Sequence, residues 1–303
     1  MTSRISYREA AGLEIESLGV LCLPQTTGTS VDKWLRDLYQ VSLDIRDHLE
    51  LTARVRPTRK LRPEHQAILI GHMVRLFKLY DTFLLLVAAG RAEVASMFHR
   101  FITETGIHLL FLMKKGTADV FDSYRRASLA YDKKLLSKAG RWKGTSRLTN
   151  EEFTGLESLT KASFEREGLK LDDVAEQECE WGGAQYKKTS AKATAIGAEY
   201  QYETGFRFGS QFVHGTWREL EHCHLLRLPH GYEPNTSYTI PSSEILDIPA
   251  SFAARMAVEY LVHITNDRKH PLVPRMAEFS EWLVRMGESG EEFRKQTRTS
   301  KVH

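Results

Sequence analysis

A chain of 303 residues, 42% hydrophobic and 27% charged, has the balance of a globular protein large enough to bury its own core. Its formal net charge of +3 is too small to imply binding to nucleic acid or membrane without a local patch. Cys22, Cys179 and Cys223 are odd in number and lack CxxC spacing, which excludes a disulfide framework and reads as reduced thiols in a cytoplasmic protein.

Residues 1–28 form an N-terminal segment without the apolar run of a signal peptide, closed by Pro24 and a polar TTGTS stretch. Residues 29–288 read as a single helical domain with its core at 63–265, and 289–303 as a flexible tail. Ser30 offers an N-cap for a helix to about Val55 that carries Trp34, Leu38, Val41, Ile45 and Leu49 at helical spacing. The basic stretch RVRPTRKLRP follows and reads as a solvated connection, since nothing aromatic interleaves its charges. Pro63 opens the next helix at a favoured first position, and Gly90 closes it. His72, Arg75, Lys78 and Asp81 interrupt its apolar run too often for a membrane span.

Residues 91–115 form a helix that is apolar nearly all round and ends on Gly116. A more polar helix covers Thr117 to Ala139, and a Gly-rich basic loop, GRWKGTSRLTN, leads to a helix start at Thr149 or Asn150. Residues 151–168 and 172–181 are charged and weakly apolar, which places them on the outside. Tyr200 to His224 reads as one continuous helix whose inner face carries Tyr202, Phe206, Val213, Trp217 and Leu220. Residues 227–243 read as a long loop that covers something, Ser243 to Asn266 as a helix, and 274–287 as a last amphipathic helix. With no convincing strand, the fold class is all-α: a multi-helix bundle with a buried polar layer and no sheet of consequence.

Two polar stripes stand out. Glu203, Arg207, Ser210, His214 and Glu221 stack along one helix at ~3.6 residues per turn, in a segment that tolerates Gly205, Gly209 and Gly215. Glu93, Arg100, Glu104 and His108 line up on the apolar helix 91–115. Buried charges need partners, so the stripes are expected to face each other, with Arg100 and Glu104 meeting Glu203, Arg207 and His214. Such a network is either a structural seam that sets helix register or a site. In a site, the histidine would serve as general acid or base and arginine would stabilise an anionic transition state.

No metal and no cofactor are expected. His222, Cys223 and His224 are adjacent on a helix and point apart, and arginines in the layer oppose a cation held by Glu104, His108, Glu203 and His214. No phosphate-loop, dinucleotide, HExxH or GxSxG pattern occurs.

The passages HRFITETGIHLLFLMKKG and YETGFRFGSQFVHGTW resemble the Arg/Glu helix and the Ser-x3-His helix of a bacterial all-helical family of unknown function, over roughly residues 65–265. Arg100, Glu104, Ser210 and His214 match its recurrent polar positions. A further similarity is to HEPN ribonucleases, toxins or phage-defence effectors with an arginine and a histidine four to six residues apart on one helix. Arg207 and His214 have six residues between them, although Phe208 stands where a polar residue is usual. That similarity implies metal-independent RNA cleavage at a homodimer interface, with RNA as partner and no membrane. The alternative is a non-catalytic scaffold or sensor whose Arg/Glu/His seam is structural.

Overall fold

The computed structural model describes residues 30–238 and 243–283. The N-terminal segment 1–28, the tail 289–303 and the end of the last expected helix lie outside the described residues.

The described residues are all-α apart from one short hairpin. Helices α1 (Ser30–Arg54), α2 (Pro63–Ala88), α3 (Ala92–Lys115), α4 (Ala118–Ala139) and α5 (Asn150–Arg166) follow the expected order. Their ends have local causes. Pro63 opens α2, and Gly90, with φ +69°, turns the chain out of it. The Thr117 side chain accepts a hydrogen bond from the Val120 amide at the start of α4. Thr149 and Glu152 form a capping box that starts α5. Gly116 does not close α3 through a left-handed turn, since its φ is not positive. A side chain there would collide with the Leu112 carbonyl and the Phe121 ring. Among the described residues, no helix is long and apolar enough to cross a membrane.

The chain falls into two compact units, and α3 gives its residues up to Leu110 to the first and those from Phe111 to the second. In the second unit, residues 111–198, Leu129, Ala130, Phe164 and Val174 make a small core. Residues 171–179 form two 3-10 turns bound to α4. Lys133 donates to the Leu171 and Val174 carbonyls at 2.7 and 3.1 Å, and Arg126 pairs with Glu178 at 2.8 Å. The segments expected on the outside therefore carry buried anchors, Phe164, Val174 and Trp181. Helix α6 (Thr189–Ile196) brings Lys192 over the Trp181 ring at 4.1 Å. Its ammonium donates to the Lys187 carbonyl at 3.1 Å, which offsets part of the cost of burying it.

The first unit holds α1, α2, most of α3 and the described residues from Glu199 on. Helix α9 (Ser243–Thr265) packs against α1 and α2, with Tyr80, Phe83 and Tyr260 fully buried. Residues 272–283 form α10, whose Phe279 ring meets His48 of α1 edge-on. The basic stretch after α1 is fastened to the end of α9, where the Thr58 and Arg59 amides donate to the Ile264 carbonyl. A buried polar layer is present on α3, but Glu93, Ser96, His99, Thr103 and Thr105 form it, while Arg100 and Glu104 are half-buried.

The segment expected as one helix from Tyr200 to His224 is broken. Helix α7 covers residues 199–213, with a π-helical turn at Tyr202–Arg207. Gly215, at φ +56°, ends it, and α8 covers 217–224 with a second π turn at Leu220–His224. As a result Trp217 and Leu220 are exposed, not turned inward. The expected loop after α8 is in part a hairpin: β1 (Leu225–Leu228) pairs antiparallel with β2 (Gly231–Pro234), and Pro229 and His230 form the turn. Leu226, Leu228 and Tyr232 are exposed on it, so burial does not specify this hairpin and alternation could not reveal it.

The glycines of α7 are explained by packing. A Cβ on Gly209 would collide with the Arg100 amide nitrogen and lie 3.0 Å from the Arg100 Cβ; one on Gly205 would collide with the Thr103 hydroxyl. Both sit where α7 crosses α3. Gly71, exposed on α2, has open space around it. Gly209→Ala is expected to destabilise by about 1–3 kcal/mol through overpacking, whereas Gly71→Ala stabilises by about 0.5–1 kcal/mol. Denaturant unfolding of the two variants beside the parent measures both signs.

Candidate functional site

Where α7 crosses α3, Arg100 has little freedom. Its Nε is buried without a hydrogen-bond partner among the described residues, its Cζ lies 4.9 Å from the Phe206 ring centroid, and its Nη1 is 2.9 Å from His214 Nε2. A guanidinium has donors only, so Nε2 accepts, and the imidazole is neutral with its proton on Nδ1. Phe206 is itself held by Tyr202, whose ring stacks on it at 4.9 Å. The Ser210 hydroxyl donates to the Phe206 carbonyl at 2.6 Å, and the His214 amide donates to the Ser210 carbonyl at 3.1 Å. His214 is thus the exposed residue that caps the C-terminus of α7, joined at its ring to α3 and at its backbone to α7.

The rest of the expected network differs. Arg207 and Glu203 pair with each other at 3.0 Å, but their side chains are 65% and 55% exposed, so they form a surface pair worth about 0.3–0.5 kcal/mol and not an internal one. Glu104 is half-buried on α3. Of the six candidates, the structure joins Arg100 to His214 and Arg207 to Glu203, while Ser210 braces the turn between them.

Beside this crossing lies a groove of about 1200 Å³, whose lining includes Glu93, His99, Arg207, Phe212, Arg218 and Glu219. His99 Nε2 lies 2.8 Å from the Ile245 carbonyl, to which it donates, and burial pushes its pKa down to about 4. Glu219 is buried and accepts from His224 Nε2 at 2.7 Å. Sequence periodicity missed this pair because its spacing of five belongs to a π turn and not to the 3.6-residue period. His222 and Cys223 both line the groove, Cys223 from a buried position, and His224 turns to Glu219. Among the described residues, no group of three or more His, Cys, Asp or Glu side chains is placed to hold a metal ion.

The model of a family of unknown function (DUF5677) matches residues 66–230. No curated protein and no solved structure matches the chain.

Burial also lowers the pKa of His72 to about 4, with the Arg75 charge acting in the same direction. From pH 6.5 down to about 4, the unfolded chain binds protons at positions 72 and 99 that the folded chain refuses. Stability therefore falls with acidification by about 1.4 kcal/mol per pH unit for each histidine, and the loss is absent above pH 6.5. Denaturant unfolding between pH 6.5 and 5.5 is expected to show this slope, and His72→Leu is expected to reduce it by one proton's worth.

Proposed function

The chain belongs to the DUF5677 family of unknown function, and we propose that it is an endoribonuclease that needs no metal ion and works through His214 and Arg100. The observation that carries this reading is the 2.9 Å contact between Arg100 Nη1 and His214 Nε2. It holds a neutral imidazole, with its lone pair engaged, against a fixed cation. A phosphodiester bound by Arg100 competes for that guanidinium and frees Nε2 to act as a base.

His214 then takes the proton of a 2′-hydroxyl. The 2′-oxygen bonds to phosphorus and the 5′-oxygen leaves, taking a proton from water, so the products are a 2′,3′-cyclic phosphate and a 5′-hydroxyl. Arg100 neutralises the charge that develops on phosphorus. Arg207 lies seven residues before His214, close to two turns of α-helix, and supplies a second cation once it leaves Glu203. The π turn at Tyr202–Arg207 agrees with this reading, since such turns recur at functional sites. The Arg-x6-His spacing agrees with it too, and makes a homodimer the expected assembly.

A scaffold whose polar seam sets helix register is the competing reading, and the buried layer of Ser96, His99, Thr103 and Thr105 favours it. Incubation with structured and unstructured RNA, with and without EDTA, separates the two. Cleavage that resists EDTA and leaves cyclic-phosphate ends is expected. His214→Ala should slow it by about 10²–10⁴-fold and Arg100→Lys by about 10²–10³-fold. RNA left intact supports the scaffold, and a His214→Ala protein as active as the parent overturns the assignment of His214.

A further inference from the structure

In the second unit, the sequence from Lys133 to Asn150 contains six basic residues and no carboxylate. Lys133 is engaged with the backbone carbonyls of residues 171 and 174. The other five, Lys134, Lys138, Arg141, Lys143 and Arg147, are exposed, and none makes an ion pair with a described residue. The concentration is local: a net charge of only +3 over 303 residues leaves the rest of the chain close to balance. Asp132, Glu151 and Glu152 flank the run and the Lys143 charge reaches Glu157 of α5, but the five cations outnumber these carboxylates, so they keep a net repulsion that a polyanion would remove.

Two aromatic side chains and a leucine share this surface. Tyr131, Trp142 and Leu135 are 64%, 43% and 48% exposed. On α4 and the 3-10 turn that continues it (Gly140–Trp142), residues 131, 135, 138 and 142 fall along one line, with 134 and 141 beside it. Two rings, Tyr131 and Trp142, therefore share a face with Lys134, Lys138 and Arg141. Arg141 lies 5.9 Å from the Trp142 ring, and Lys143 lies 4.7 Å from the ring of Phe153, which steadies the loop at the base of α5.

We propose that this face binds single-stranded nucleic acid, with the five cations on the phosphates and Trp142 and Tyr131 stacking on bases. Cations beside exposed rings are the recurring surface for single strands. A membrane-lying helix instead segregates its apolar residues from its charges, and that segregation is absent here. The surface lies wholly within residues 131–153 and does not depend on the reading of His214.

The test uses the full chain and a fluorescein-labelled single-stranded oligodeoxynucleotide, which lacks the 2′-hydroxyl and cannot be cleaved by the chemistry above. Anisotropy titrations over a range of salt concentrations should give a log–log slope of up to about −3.5 if all five cations meet phosphates. Lys138→Gln with Arg141→Gln should reduce that slope by about 1.4 and weaken binding. Trp142→Ala, an exposed position, should weaken it about tenfold or more while leaving the slope nearly unchanged. Arg56→Gln with Lys60→Gln, on the basic stretch of the first unit, should bind like the parent. Absence of binding at 50 mM salt overturns the proposal, as does equal binding by the Lys138/Arg141 and Trp142 variants. Sedimentation with phosphatidylglycerol vesicles but no binding to the oligonucleotide overturns it in favour of a membrane surface.

Discussion

The first unit depends on how closely α7 approaches α3. Gly205 and Gly209, one turn apart, place the backbone of α7 against Thr103 and Arg100, where no side chain fits. Each glycine costs a helix interior about 0.5–1 kcal/mol, which the close contact along the crossing offsets. On another side of α3, Gly106 admits the Phe252 ring and Met256 of α9 by the same means. With its backbone pressed against α7, Arg100 can only send its side chain along the crossing, over Phe206 to His214. The contact that carries the functional reading is thus a by-product of helix packing.

Two π turns change the geometry that follows. An i→i+5 hydrogen bond widens the helix locally and shifts every later side chain around the axis. In α7 the turn ends at Arg207, and regular helix resumes from Phe208 to Val213. Glu203 and Arg207 face the groove, while Ser210 folds back on the Phe206 carbonyl. In α8 the second turn brings Glu219 and His224 together, so a buried carboxylate has a partner five residues away.

The charges divide by depth. Deep imidazoles at positions 72 and 99 remain neutral because burial lowers their proton affinity more than any neighbour raises it. Half-buried Arg100 turns its guanidinium toward exposed His214, and the exposed Arg207–Glu203 pair is held only weakly. In the second unit, cations instead fasten backbone, as Lys133 and Arg126 do for residues 171–179, or remain on the surface without an ion pair to a described residue, as around Trp142.

Helix identity and most helix ends were legible in the sequence because their causes are local. Pro63, Thr117, Gly90 and the Thr149/Glu152 box act within a few residues of their own positions. The all-α class was legible too, and of the network expected between the two stripes one contact, Arg100 to His214, is present, while Arg207 and Glu203 pair with each other on the surface. The break at Gly215 was not, because a glycine inside an apolar period reads the same whether it bends the chain or admits a neighbour. Nor were the π turns, the hairpin at 225–234 or the Glu219–His224 pair, all of which lie outside the 3.6-residue period. Which members of the two stripes meet was decided by the α3–α7 crossing alone. Periodicity states which side chains share a helix face, and only the packed partner determines how that face is rotated and how near it comes.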